Sequence, residues 1–187
     1  MTVPTVRAAT PQDGPAIAAV QLDTWRATYG AWIPDVVAGL DPDRTADNWA
    51  RAAVRPGQRV AVAADATGVL GYAWSGPAEE DPALGELHAL YVRPAAQGCG
   101  AGRLLVADAL VWLAAAGYPS CVVWALERHT PALRFYERLG FVPDGGPTRL
   151  WRGLTELRHT RPTGPWPRRS DTAGGYPNGV EAGRGSW

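Results

Sequence analysis

The sequence predicts a mixed α/β (α+β) protein. Short segments in which apolar and polar residues alternate, bounded by turn residues, indicate strands, and longer segments with apolar residues at helical spacing indicate helices. They follow one another as a strand, two helices, three strands, a helix, a strand, a helix and final strands. With 187 residues and 46% apolar content, the chain is long enough to bury one substantial core.

The chain begins with a predicted strand over 5–10 and then a helix start. The segment "TPQD" (10–13) combines a capping residue, a proline at the first helical position and an acidic residue in the first turn. Apolar residues then recur at roughly helical spacing, at Ile17, Leu22, Trp25 and Tyr29.

The middle of the chain predicts one helix and three strands. The helix covers 42–54, and "RVAVAADATGVLGYAW" indicates two strands joined by a turn near 65–68. A third strand covers 85–92 and is stopped by Pro94.

The second half alternates helices and strands. A helix over 102–116 is apolar on nearly every face, which is typical of a buried helix. The strand 121–126 suits a sheet interior, and a shorter helix runs from 130 to 139. The segments 141–142 and 148–157 supply the last strands.

The composition changes near Thr160, where proline, glycine and arginine replace aliphatic residues. We therefore expect one domain over 1–158 and a disordered tail over 159–187.

Composition also narrows the class of protein. Eighteen basic and eighteen acidic residues cancel, so no global charge recruits nucleic acid or an anionic membrane. No apolar stretch approaches the ~20 residues that span a bilayer, and the N-terminus lacks the pattern of a signal peptide. Two cysteines fit free thiols in the cytoplasm, and no Cys/His pair has zinc-ligand spacing, so we expect no metal.

The segment "QGCGAG" (97–102) lies between the predicted strand and the buried helix. It fails the dinucleotide fingerprint G-x-G-x-x-G, because the sixth position is Arg103 or Leu105. It also lacks the Gly-Lys-Ser/Thr of a P-loop. Glycines permit tight curvature there, and the free N–H groups of a helix start form an anion site without a lysine.

Gln97-x-x-Gly100-x-Gly102 resembles the acetyl-CoA pyrophosphate loop of the GNAT superfamily of N-acetyltransferases. Upstream, "ELHALYVRPAAQGCGAG" is similar to the fourth strand of that family running into the loop. Downstream, "TPALRFYERLGF" is similar to the family's helix after strand five. The resemblance covers about residues 3–157 and implies the GNAT acyl-CoA N-acyltransferase fold, a mixed, mostly antiparallel central sheet flanked by helices.

The resemblance implies an acetyl-CoA-dependent transferase and assigns a donor site. Backbone N–H groups of the loop would wrap the diphosphate, the N–H of Leu90 would face the acetyl carbonyl, and Val92 would pair with the pantetheine chain. His129 stands where the family often has Asn. The implied cofactor-binding residues are Leu90, Tyr91, Val92, Gln97, Gly98, Cys99, Gly100, Ala101, Gly102, Arg103 and His129.

Cys99 is a departure, because a basic residue is frequent at that loop position. The lost charge should weaken pyrophosphate attraction by about 0.2–1 kcal/mol, the size of a surface pair. We do not expect Cys99 to act as a nucleophile, since the family transfers the acetyl group directly from thioester to amine.

The implied catalytic residues are Tyr136 and Glu86. Tyr136, in "RFYERLGF", matches the tyrosine that protonates the leaving thiolate, with Phe135 expected to point into the core. Glu86 lies eleven residues before Gln97 and matches a general-base glutamate. His88 on the same strand face or a water relay are alternatives as the base, and a purely electrostatic role for Glu86 stays open.

The acceptor side is the least determined part. In the family the acceptor lies under the first two helices, where Trp25 and Tyr29 have the spacing of a core stripe and Trp32 is the best candidate for a pocket wall. We take Trp32, Trp25 and His88 as the acceptor pocket. The expected acceptor is a primary amine of a small molecule or peptide, and the expected assembly a monomer or homodimer. The alternative is a CoA-binding regulatory or partner module without turnover.

Overall fold

The computed structural model describes residues 3–146 and 148–164. Its strands are β1 Thr5–Ala8, β2 Arg59–Asp65, β3 Gly68–Pro77, β4 Gly85–Val92, β5 Ser120–Leu126, β6 Val142–Pro143, β7 Arg149–Trp151 and β8 Leu154–Pro162. Its α-helices are α1 Gly14–Tyr29, α2 Pro34–Ala38, α3 Pro42–Ala52, α4 Ala101–Ala115 and α5 Thr130–Arg138.

The strands form one sheet in the order β1-β2-β3-β4-β5-β8-β6, with β7 beside β8. Neighbouring strands are antiparallel except β4 and β5, which are parallel. These two strands pair at Gly85–Cys121 and Glu86–Val122, and the ladder between them stops there in the described structure. The sheet is therefore split along β4 and β5, and the predicted mixed, mostly antiparallel fold is confirmed.

A β-bulge in β4 lies just above this split. Trp74 of β3 is opposite Ala89, while the next residue, Ser75, is opposite Leu87, so His88 is the extra residue. A bulge places two successive side chains on one face of a sheet. His88 and Ala89 accordingly share a face, and Leu87 points to the other.

Helices cover both faces of the sheet. On one face, α4 and α5 pack a core that includes Leu105, Leu110, Leu113, Val123 and Phe141. On the other face, Ile17 and Val20 of α1 pack with Val60, Val62 and Tyr72, against Trp49 of α3. Each face of the sheet therefore has its own helical layer.

The observed elements follow the predicted order, with one addition and one correction. The five-residue helix α2 is not among the predicted elements. The domain does not end at 158, because β8 continues to Pro162. Its residues 156–162 pair with the full length of β5. His159 and Arg161 are buried there, and Arg161 Nη1 donates to the Leu139 carbonyl at 2.8 Å.

The remainder of the predicted tail, 165–187, lies outside the described residues. Among the described helices, none is both long enough and apolar enough to cross a membrane.

Candidate active site

A cleft of about 1010 Å³ opens where β4 and β5 diverge. On one face of the sheet, the cleft is lined by the glycine loop, the start of α4 and one side of α5. On the other face it is lined by α1, α3 and the β7–β8 hairpin. The two faces of the sheet thus communicate through the gap between the strands.

The glycine loop turns the chain sharply from β4 into α4. Gly98 and Gly100 have φ values of +82° and +93°, in the left-handed region that favours glycine. A Cβ at either position would meet no atom within 4 Å, so backbone conformation and not space requires glycine there. Gly100 caps α4, and the N–H groups of the first turn, from Ala101 onward, point out of the helix end.

The rest of the loop differs from the predicted cradle of amides. The N–H groups of Gln97 and Cys99 donate to the carbonyls of Pro94 and Ala96, at 3.3 and 3.4 Å, because these residues close turns. The Cys99 side chain packs against the core and does not line the cleft. The predicted cradle therefore narrows to the amides around Gly98 and from Gly100 into α4, where Arg103 lies in the first turn and lines the cleft.

The edge of β4 that faces the split carries backbone groups that do not bond to β3. The Arg93 N–H donates to the Leu70 carbonyl at 2.8 Å, which fixes the alternation of the β3–β4 ladder. In an antiparallel pair, alternate residues bond to the neighbour, so Tyr91 bonds to β3 while Leu90 and Val92 turn their N–H and C=O groups away. Those groups of Leu90 and Val92 face the gap, where the Val92 carbonyl accepts hydrogen bonds from Thr24 Oγ1 and Gln97 Nε2, both at 3.4 Å. The roles of Leu90 and Val92 toward the donor stay predictions.

Tyr136 reaches the gap from α5. Its side chain is only 7% exposed, lines the cleft, and packs edge-on against Phe141 and Phe135 at ring distances of 5.6 and 5.4 Å. Burial, reinforced by the neighbouring Tyr91 and Cys121, raises the pKa of Tyr136, so its hydroxyl is protonated at neutral pH.

Phe135, which the sequence predicted to point into the core, packs against the core but is less deeply buried than its neighbour Tyr136. Phe135 is half-buried and lies over the loop, where a Cβ on Gly102 would approach its ring to 3.3 Å. The turn of α5 gives the deeper position to Tyr136 because the core between α4 and β5 lies on that side.

Glu86 and His88 form a buried pair on the acceptor face. His88 Nδ1 lies 3.2 Å from Glu86 Oε1, and Arg149 Nη2 lies 3.9 Å from the same oxygen. The His88 ring stacks on Trp74 at 4.5 Å, and its Nε2 makes no hydrogen bond to any described residue.

Only His88 of this pair lines the cleft. The role of Glu86 as the base stays a prediction. Glu86 is 3% exposed and, next to His88 and Arg149, is set back from the cleft. The bulge is the physical reason, because it adds His88 between Glu86 and the gap.

His129 and Trp32 lie together at the start of α5. Their rings meet edge-on at 5.8 Å, and the Arg128 guanidinium covers Trp32 at 4.7 Å. His129 is half-buried and lines the cleft, and burial lowers its pKa, so it is neutral at pH 7. Trp32 does not line the cleft: α1 ends at Tyr29, and a turn carries Trp32 to the side of α5.

The wall of the cleft next to α1 contains residues that the sequence reasoning missed. Trp25 lines the cleft as predicted, but its ring contacts Trp151 of β7 at 5.5 Å. Arg149 donates to Glu156 Oε2 at 2.6 Å and covers Trp124 at 4.4 Å. Gly153 inside the predicted 148–157 strand was a usable signal, because it marks the turn of the β7–β8 hairpin.

Several known proteins are similar to this chain in sequence. An N-acetyltransferase of Bacillus subtilis (strain 168), YuaI, is 37% identical over 137 residues, which cover 71% of this chain and 77% of the relative. The mycothiol acetyltransferase of Rhodococcus erythropolis is 35% identical over 122 residues, or 63% of this chain. The matched part is only 38% of that relative's length.

Solved structures agree on the fold. A ribosomal-protein-alanine N-acetyltransferase from Brucella melitensis superposes with a TM-score of 0.70 at 25% identity, covering 84% of this chain and 99% of that one. The paiA N-acetyltransferase from Thermoplasma acidophilum, solved with coenzyme A, also has a TM-score of 0.70, at 16% identity, with 83% and 97% covered.

The family model described as the acetyltransferase (GNAT) family matches residues 21–141, which include β4, the split and the glycine loop. These findings confirm the predicted enzyme class and its co-substrate, acetyl-CoA. Because the match spans more than half of a chain that also has the split sheet of the solved acetyltransferases, the protein belongs to the GNAT family of acetyltransferases.

Proposed function

We propose that the enzyme transfers the acetyl group of acetyl-CoA to a primary amine of a small molecule or peptide, by direct attack while both are bound. The observation that carries this proposal is the single cleft through the split sheet. It joins an amide-lined loop on one face to a histidine and an aromatic wall on the other. Such a cleft lets donor and acceptor meet at the gap between β4 and β5.

The glycine loop is suited to the diphosphate of the donor. Backbone N–H groups at a helix start, together with the positive end of the helix dipole, bind anions without a charged side chain. Gly98 and Gly100 supply the required left-handed conformations, and a Cβ at Gly102 would make a tight contact of 3.3 Å with the Phe135 ring.

The free edge of β4 takes the rest of the donor. Acetyl-CoA supplies a thioester whose carbonyl carbon the amine attacks. The Leu90 N–H, turned into the gap, would donate to the carbonyl oxygen as it gains negative charge, and Val92 would hold the pantetheine as an added strand. The side chains of both residues belong to the core.

The His88–Glu86 pair is the proposed proton acceptor for the amine. The Glu86 carboxylate beside Nδ1 favours the tautomer that has its proton there, which leaves the lone pair on Nε2. Nε2 is buried, so a bridging water carries the proton to it. Glu86 then stabilises the imidazolium as a positioning residue.

Tyr136 is the proposed proton donor to the leaving thiolate. Burial keeps its hydroxyl protonated at working pH. The same raised pKa makes complete transfer more costly, by about 1.4 kcal/mol per pKa unit, so a strong hydrogen bond to sulfur is a large part of the role.

Two measurements test the proposal together. CoA should raise the melting temperature, and acetyl-CoA with a panel of primary amines should release free thiol. His88→Ala should lower the rate of thiol release at least tenfold with unchanged CoA stabilisation, whereas His159→Ala, outside the cleft, serves as the control for loss of a buried histidine. Stabilisation by CoA without turnover on any amine would favour the binding-module alternative. No stabilisation by CoA would contradict the loop assignment.

A further inference from the structure

We infer that the acceptor is a monoamine whose primary amino group is attached to a planar, apolar body. This inference rests on the proposed function and concerns the acceptor half of the same cleft. It follows from which rings and which charges the structure brings to that wall.

Flat ring faces dominate the acceptor side. Five of the nine tryptophans in the sequence line the cleft, although they come from helices and strands far apart in the chain: Trp25, Trp49, Trp74, Trp124 and Trp151. Tyr29 adds a ring between Trp25 and Trp151, at 5.6 and 5.5 Å. An aromatic group gains most from such walls, because ring pairs add stabilisation beyond the area that they bury.

The ring cluster is open at one end. Trp151 is only partly buried, although Trp25 and Tyr29 pack against it. It lies next to the turn at Arg152 and Gly153, and the guanidinium of Arg152 is 5.5 Å from its ring. A planar group that enters beside Trp151 would contact rings from α1 and β7 together.

The charges on this wall do not favour a polycation. Among the described residues that line the cleft, Glu156 is the one carboxylate. Burial raises the pKa of both Tyr29 and Tyr91, and the charge of Glu156 adds a smaller rise to each because this carboxylate lies beside the ring cluster. Arg149 already binds it at 2.6 Å, so the wall does not have the excess of negative charge that a polycation needs.

Polyamines and aminoglycosides are therefore poor acceptors by this reasoning. Each carries several ammonium groups, and every one beyond the first would be desolvated against tryptophan faces without a carboxylate partner. Ring faces attract a single cation through cation–π contacts, but the remaining charges need acidic residues.

The test is a thiol-release assay with matched amines on the full-length enzyme. We expect kcat/KM for 2-phenylethylamine to exceed that for 2-cyclohexylethylamine about threefold or more, and that for spermidine or kanamycin at least tenfold. Trp151→Ala should lower kcat/KM for 2-phenylethylamine at least tenfold with unchanged KM for acetyl-CoA, and Trp151→Phe should retain most of it. Leu150→Ala is the control, because this neighbour is 74% exposed and does not line the cleft.

The outcomes separate the inference from the proposed function. Faster acetylation of spermidine or kanamycin than of 2-phenylethylamine would overturn the inference and leave the N-acetyltransferase function intact. Equal rates with 2-cyclohexylethylamine would overturn the requirement for a planar body. Absence of turnover on every amine would contradict the proposed function, and the inference with it.

Discussion

The two halves of the cleft, the donor half around the glycine loop and the acceptor half next to α1, differ in whether backbone groups or side chains line them. The donor half uses the backbone: two glycines with positive φ, the first amides of α4 and the turned N–H groups of Leu90 and Val92. The acceptor half uses side chains, with tryptophan rings around one partly buried ion pair of Arg149 and Glu156. We therefore expect the donor half to tolerate side-chain changes that preserve its backbone geometry. The acceptor half, in contrast, is defined by its side chains.

The largest effect is expected at Tyr136, where the two halves meet. Tyr136→Phe removes the hydroxyl but keeps the packing against Phe141, so kcat should fall about 100-fold, the usual size of a lost general acid. Binding of CoA, measured by calorimetry, should be unchanged. Tyr118→Phe is the matched control, because Tyr118 does not line the cleft. Unchanged turnover in Tyr136→Phe would remove this residue from the chemistry.

The next largest effect tests whether backbone conformation alone determines CoA binding in the donor half. Gly100→Ala puts a Cβ on a residue with φ +93° without any clash, so the cost of about 1–2 kcal/mol is purely conformational. We expect the Kd for CoA to rise about tenfold. Gly57→Ala has a similar positive φ of +72°, away from the cleft, and should leave CoA binding unchanged. Equal loss in both variants would indicate general destabilisation.

A smaller effect is expected outside both halves, at the start of α1. Asp13 accepts two hydrogen bonds of 2.7 Å from Arg7 and others from Thr10, which hold the pKa of its carboxyl well below its usual value. A lowered pKa stabilises the fold above the unfolded-state value of 3.8, and that stability is lost as pH falls below it.

Asp13→Asn should therefore lower the free energy of unfolding by about 1 kcal/mol at pH 7, measured with urea. As pH falls from about 5 through 3.8 toward the lowered pKa of folded Asp13, the wild type should lose stability relative to the variant, so the gap between them should narrow. The exposed Asp47→Asn provides the comparison. A gap that stays constant with pH would contradict the ion pair.

The smallest effect is expected at Cys99. Its side chain packs against the core beside the loop and its N–H already closes a turn, so neither group serves the donor directly. Cys99→Ser should change the Kd for CoA less than twofold. A larger change would mean that side chains, and not only the backbone, define the donor half.

The donor half was predictable because its parts are contiguous in sequence. The loop 97–102 follows its strand and precedes its helix directly, and Tyr136 lies within one short motif. The fold was predictable for the same reason, since periodicity and turn residues act locally.

The acceptor half was not predictable, because tertiary pairing creates it. Trp151 meets Trp25 only after β8 has paired with β5 and β7 has folded back on β8. Trp32 is a residue type that often forms a pocket wall, but the turn after α1 places its ring against His129 at the start of α5. The end of the domain was predicted too early. His159 and Arg161 are polar, so no local pattern marks them as buried, and they become buried only because β8 pairs with β5.

The bulge in β4 has a consequence for how this enzyme tolerates insertion and deletion. Without His88, Glu86, Leu87, Ala89 and Leu90 would alternate across the sheet regularly, and Trp74 and Ser75 would keep their partners. The sheet therefore does not need this residue for its register. The proposed proton acceptor is an additional residue carried by an otherwise complete strand, so the chemistry of β4 and its folding are encoded by separable positions.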